Sequence, residues 1–116
     1  MIDYKGLVDD FQKGANVGQV QEFDPDGEMI EIKIRLLEEE FDELIIAMRE
    51  GPKEEVRKEL CDLLYIAFGI AATYGLPVDD DFIAVHQDNM RKLKYPIVNG
   101  KIIKPKEHGK LRLDVV

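Results

Sequence analysis

The chain has 116 residues, 45% of them hydrophobic and 34% charged, a composition and length that fit one globular domain. Twenty-four acidic residues against 16 basic ones leave a formal charge of −8, which argues against a non-specific nucleic-acid binder and against a basic membrane-surface helix. The single cysteine, Cys61, excludes an intramolecular disulfide and a cysteine-based zinc site.

The segment "DYKGLVDDFQKGANV" carries Leu7, Val8 and Phe11 at helical spacing and predicts a short first helix. Pro25 and Gly27 then break the pattern, with Asp26 placed to cap a second helix. That helix is long and is predicted over about 28–49. Its stripe of Ile30, Ile34, Leu37, Phe41, Leu44, Ile45 and Met48 is taken as the buried face, centred on Phe41. Gly51 suits its C-terminal cap, and Pro52 suits the first turn of a third helix over about 53–74. Gly75 and Pro77 stop that helix. From Leu63 to Tyr74 it carries no charge, so it must be covered on all sides, and in a short chain this calls for a subunit partner. Cys61, at the edge of this run, reads as a small core residue. Twelve uncharged residues fall short of the ~20 that span a bilayer. No leader pattern opens the chain, so a cytoplasmic protein is expected.

A fourth helix is predicted in "PVDDDFIAVHQDNMRKLKYP", capped by Asp79–Asp81 and striped by Phe82, Val85, Met90 and Leu93. Asn99-Gly100 between short apolar runs predicts a type I′ hairpin, and the last ten residues read as an arm.

The carboxylates carry the chemistry. Five of the six residues Glu38–Glu43 are acidic. About the axis of the second helix, Glu40 falls at the edge of the apolar stripe, while Glu39 and Glu43 fall roughly opposite it beside Ile32, Leu36 and Ile46. Glu59 and Asp62 lie three apart where the third helix enters its apolar run. Three readings stay open on the residues alone: a solvated acidic face, a structural salt bridge to Arg35, Arg57 or Lys58, and a divalent cation. An unpaired buried carboxylate costs several kcal/mol. Mg²⁺ takes oxygen ligands from one or two carboxylates plus substrate phosphates, and two helices each offering two acids one turn apart could hold it. His86 and His108 do not form ligand spacing with these acids, which argues against zinc and di-iron. Bound Mg²⁺ would also let so acidic a protein take a polyphosphate, so the reaction class is metal-assisted hydrolysis at phosphorus. Tyr65, one turn after Asp62, either hydrogen-bonds a ligand carboxylate or fills the core.

"EEFDE", then fifteen intervening residues, then "ELCD" resembles the EExxE…ExxD signature of the all-α nucleoside triphosphate pyrophosphohydrolases, the MazG-like enzymes. "RLLEEEFDEL", "DLLYIAFG" and "VHQDNMRKL…NGKIIKP" resemble a MazG-like/phosphoribosyl-ATP pyrophosphohydrolase-like subgroup over about 11–105. The resemblance implies an all-α, four-helix-bundle-like domain spanning 1–116, with a small C-terminal hairpin and arm from about 95 onward. It implies a homodimer or homotetramer. It makes Glu40, Glu43, Glu59 and Asp62 the ligands of Mg²⁺, with Mn²⁺ able to substitute, and Glu39 the general base or orienting acid. Asn89 and Lys92 match the subgroup's fourth-helix pattern and would face phosphate or base. The family brings its first helix to the nucleobase, which makes Phe11, Gln12 and Asn16 substrate-side residues, although "FQKGAN" departs from the aromatic-His form. The expected reaction is hydrolysis of a (deoxy)nucleoside triphosphate to the monophosphate and pyrophosphate, in nucleotide-pool sanitation of a dUTPase- or dCTPase-like kind. The rivals are phosphoribosyl-ATP hydrolysis and a non-catalytic helical dimer or interaction module whose acids bind a cation or a basic partner.

Overall fold

The computed structural model describes residues 1–17 and 20–103. There the chain is all-α apart from one two-stranded hairpin. Four helices run in order, α1 (Tyr4–Ala15), α2 (Glu28–Glu50), α3 (Lys53–Tyr74) and α4 (Val78–Arg91), followed by β1 (Ile97–Val98) and β2 (Lys101–Ile102). They fall into two compact units, Met1–Leu76 and Pro77–Val116. No single helix among the described residues is long and apolar enough to cross a membrane.

In the first unit the helix ends follow local chemistry. Asp3 opens α1 by accepting the Gly6 amide on Oδ1 at 2.9 Å. α2 is not capped by Asp26. Asp24 Oδ1 accepts the Asp26 amide at 3.0 Å and the Asp24 carbonyl accepts the Gly27 amide. That turn leaves Gly27 at the N-cap with no side-chain bond. α2 ends where the Gly51 amide donates to the Ala47 carbonyl at 2.9 Å. Pro52 takes the N-cap of α3, one residue earlier than its expected first-turn place. Gly75 closes α3 in the left-handed region (φ 62°).

α3 is the central element and packs against both α1 and α2. Its side toward α1 carries Gly69, where an added Cβ would lie 2.8 Å from Gln12 Nε2 and 3.6 Å from Val8 Cγ1. Glycine therefore lets α1 come close enough for Gln12 Nε2 to donate to the Gly69 carbonyl at 3.2 Å. Two aromatic contacts, Tyr4 stacked on Phe68 and Phe11 edge-on to Tyr65, hold the same interface.

The inward face of α2 differs from the one its apolar stripe suggests. The residues buried on α2 are Lys33 and Ala47, with half-buried Glu40 midway between them at seven-residue steps. Ile34, Phe41 and Met48 lie one residue further along, about 100° around the helix, and are exposed. Periodicity finds an apolar stripe but does not say what covers it, and here α3 covers the neighbouring row. Cys61 is likewise exposed, beside Leu60 and Leu64 on the outer side of α3, and is not a core residue.

Lys33 is 8% exposed, and among the described residues its Nζ has no ion-pair or hydrogen-bond partner. Burial pushes its ammonium below the ordinary lysine range. A lysine whose folded value is depressed destabilises the fold wherever it is charged, and this penalty fades only as pH rises through the folded value. Lys33→Met should therefore raise thermal stability at neutral pH, by about 1–3 kcal/mol. The gain in denaturant melts should shrink toward alkaline pH; a loss of stability at pH 7 would contradict this account.

In the second unit, Asp79, Asp80 and Asp81 occupy the first turn of α4 and complement its dipole, but the N-cap is Pro77, without a side-chain bond. The α4 stripe of Phe82, Val85, Met90 and Leu93 is exposed. A 3₁₀ turn at Lys92–Lys94 leads to the hairpin, with Ile97 opposite Ile102 and Val98 opposite Lys101. Asn99 (φ 52°) and Gly100 (φ 74°) supply the two positive φ angles of a type I′ turn. The expected terminal arm lies outside the described residues.

Candidate active site

α2 and α3 are joined by Gly51 and Pro52 alone, so they fold back antiparallel and bring the second half of α2 against the first half of α3. Glu40 lies on the inward face of α2, Glu43 one turn later at its rim, and Glu59 on the facing side of α3. One carboxylate oxygen from each lies within 4.8 Å of the other two. That span is close to the ~4.2 Å across an octahedral Mg²⁺ shell.

Burial sharpens the chemistry. Glu59 is 8% exposed. Glu59 Oε2 and Glu40 Oε2 are both buried without a hydrogen-bond partner among the described residues. Buried ionised carboxylate oxygens accept only, so two of them on residues of one cluster call for a donor or a cation. Glu43 has its carboxyl held above the usual value, first because its protonated form donates to Glu59, and then through the charge on Glu40. The donor set is all oxygen and all anionic, which fits a hard divalent cation.

Lys58 is the one cation against this group among the described residues. Its Nζ lies 3.0 Å from Asp62 Oδ2 and 3.4 Å from Glu59 Oε1. Those two bonds, Asp62 first, raise the lysine above its ordinary range and keep it charged. Of the three basic residues open as partners in the sequence, the structure pairs Lys58. Half-buried Asp62 therefore sits one turn beyond the cluster in an ion pair, while Glu40, Glu43 and Glu59 form the cluster itself. Glu39 is exposed and outside the cluster.

The remaining expected site residues lie on α1, on α3 and in the second unit. Gln12 is buried, with Nε2 on the Gly69 carbonyl and Oε1 accepting from Thr73 Oγ1 at 3.4 Å. Both ends of its amide hold α1 against α3. Phe11 is exposed with its ring edge-on to Tyr65, and Asn16 is exposed at the end of α1. Tyr65 is partly exposed and turned to Phe11. Asn89 and Lys92 belong to the second unit. There Asn89 Oδ1 is buried without a partner among the described residues, and Lys92 is buried with an ion pair to Asp88 at 3.4 Å.

A sequence profile described as phosphoribosyl-ATP pyrophosphohydrolase matches residues 26–89, which contain all of α2 and α3 and every acid of the cluster. The chain belongs to the phosphoribosyl-ATP pyrophosphohydrolase family. No curated protein and no solved structure matches it at a significant level. Membership in the phosphoribosyl-ATP pyrophosphohydrolase family makes the chain a hydrolase of the pyrophosphohydrolase class, acting on a nucleotide-like substrate. The matched segment reaches Asn89 on α4 but stops before Lys92, and it excludes α1 with Phe11, Gln12 and Asn16.

Proposed function

We propose that the protein hydrolyses the anhydride between the α- and β-phosphates of a nucleoside or deoxynucleoside triphosphate, leaving a monophosphate and pyrophosphate, with Mg²⁺ or Mn²⁺ as cofactor. The observation that carries this reading is the pair of buried, unpartnered oxygens on Glu40 and Glu59 inside a three-carboxylate cluster. Glu40, Glu43 and Glu59 would hold the cation, and Asp62 would join them if Lys58 gave way. When bound, the cation supplies the positive charge that attracts polyphosphate oxygens and offsets charge building at phosphorus. Lys58 steadies Glu59 and Asp62 from the solvent side. Glu39, exposed and one residue from Glu40, is free to orient or deprotonate a water as general base. Asn89 and Lys92 retain their proposed phosphate- or base-facing roles, an acceptor and a cation respectively. Phosphoribosyl-ATP is the second substrate reading, favoured by the family profile.

The test is a panel of (deoxy)nucleoside triphosphates and phosphoribosyl-ATP with Mg²⁺, followed by identification of both products. Pyrophosphate plus a monophosphate from one triphosphate supports the first reading; turnover of phosphoribosyl-ATP alone selects the second. Orthophosphate release, or no turnover of any member, would overturn the cleavage proposed here.

The exposed apolar row of α2 supports a homodimer or homotetramer. Ile34, Phe41, Ile45 and Met48 share one helix face that no described residue buries. An apolar strip of this kind marks an association surface. Phe41→Asp is expected to convert the wild-type oligomer to a monomer in sedimentation equilibrium; a monomeric wild type would refute the assembly.

A further inference from the structure

α1 is complete in itself and lightly held. Asp3 caps its start, the Asn16 amide returns to the Gln12 and Lys13 carbonyls at its end, and Lys13 pairs with Asp9 at 2.9 Å one turn back. Only Val8 and Gln12 of this helix are buried, four residues apart on one seam. Tyr4, Leu7 and Phe11 each leave more than half of their surface exposed. Among the described residues, α1 is held on α3 by Val8, the Gln12 amide, the two ring contacts and an exposed bond from Lys5 Nζ to the Leu76 carbonyl at 3.1 Å. So few buried apolar side chains mark an element that opens before the rest of a domain.

Under that seam lies Lys33. Its Nζ is 3.6 Å from the place a Cβ on Gly69 would occupy, as is Val8 Cγ1, with Gln12 Nε2 at 2.8 Å. The amine of α2 thus ends against α3 beneath the two buried residues of α1. Gln12 uses both ends of its amide on Gly69 and Thr73, and Val8 offers no acceptor. Charged or neutral, the N–H groups of Lys33 have no partner among the described residues. The groups that meet it at this point, Val8 and Gln12 of α1 and Gly69 of α3, do not titrate, and the next acid on its own row is Glu40, two turns along α2. Buried donors without acceptors cost stability for as long as water is kept from them, and α1 keeps it from these.

We propose that α1 is a cover that lifts from the α2–α3 hairpin while α2 and α3 stay paired, and that Lys33 sets how readily it lifts. Lifting hydrates the amine and relieves the cost of burying it. It also takes Phe11 from Tyr65, one turn beyond Asp62, and bares α3 from Tyr65 to Thr73. The cover holds none of the clustered acids, so its opening governs access to the flank of α3 that adjoins them. The inference stands whether or not those acids bind a metal.

Hydrogen–deuterium exchange of the intact chain at neutral pH, read peptide by peptide by mass spectrometry, tests this. A 12-residue helix detached from its support is marginal in water, so its amides exchange once it lifts. In wild type, α1 is expected to exchange at least about tenfold faster than the middle of α2 and α3 after correction for intrinsic rates. Lys33→Met, which keeps the length and removes the donors, should slow α1 by about 5- to 150-fold, the range for relieving a buried polar group without a partner. Lys33→Arg keeps the charge and the donors and should not slow it. Wild-type α1 exchanging in step with α2 and α3 would overturn the cover. Unchanged α1 exchange in Lys33→Met overturns the role of Lys33, and so does an equal slowing by Lys33→Arg, because side-chain bulk then explains the effect.

Discussion

Glu59→Gln is expected to lower pyrophosphate release by more than about 100-fold while leaving the metal-free protein at least as stable as wild type. The activity loss comes from position. Glu59 is the α3 member of the cluster and carries one of the two buried oxygens without a partner. Groups that merely support metal ligands typically cost 10–100-fold when replaced, so loss of a ligand's charge should cost more. The stability effect has the opposite sign for the same reason. In wild type without metal, three carboxylates crowd within 4.8 Å, and the buried one has no cation beyond a 3.4 Å approach by Lys58. Glutamine keeps the shape, removes that repulsion and adds donors for the oxygens of Glu40 and Glu43. Steady-state kinetics and thermal melts in chelator read the two effects separately. Activity within tenfold of wild type would remove Glu59 from the site; a large fall in metal-free stability would make it a structural residue.

Mg²⁺ added to chelator-stripped protein is expected to raise the melting temperature by an amount that depends on pH. A ligand at 100 times its dissociation constant stabilises by about 2.7 kcal/mol, on the order of 10 °C for a domain near this size. The pH dependence comes from Glu43. Its carboxyl is raised by the hydrogen bond to Glu59 and then by the charge of Glu40. A raised acid contributes its stability in full below the ordinary carboxylate range, and loses it as pH rises through the folded value. The cation requires the ionised form and so gains over the same window. The Mg²⁺-induced shift should be small near about pH 4 and grow toward neutrality. A shift that stayed constant from about pH 4 to 8 would detach Glu43 from the ion.

Much of this architecture is legible in the residues. Gly51-Pro52, Gly75 with Pro77, and Asn99-Gly100 are strong local signals, and each marks an observed boundary or turn. The two acid motifs are equally clear, because their spacing places them on facing helices. What periodicity misses is which apolar row faces inward. Phe41 and Ile34 look like core, yet the described chain buries the row of Lys33 and Ala47, a lysine being the last residue a hydrophobic pattern would choose. The burial of Gln12 depends on Gly69, 57 residues away, a relation that no local window contains.

The brevity of the link between α2 and α3 has a consequence for how such a chain can change. Gly51 and Pro52 set the rotational phase of one helix against the other. A single residue inserted in α3 between Lys53 and Glu59 would turn Glu59 by roughly 100° about the helix and carry it off the meeting point. Lengthening is tolerable only as a matched turn on both arms, about seven residues at a time. The fifteen residues separating Glu43 from Glu59 are thus a quantised interval, held by the convergence of Glu40, Glu43 and Glu59.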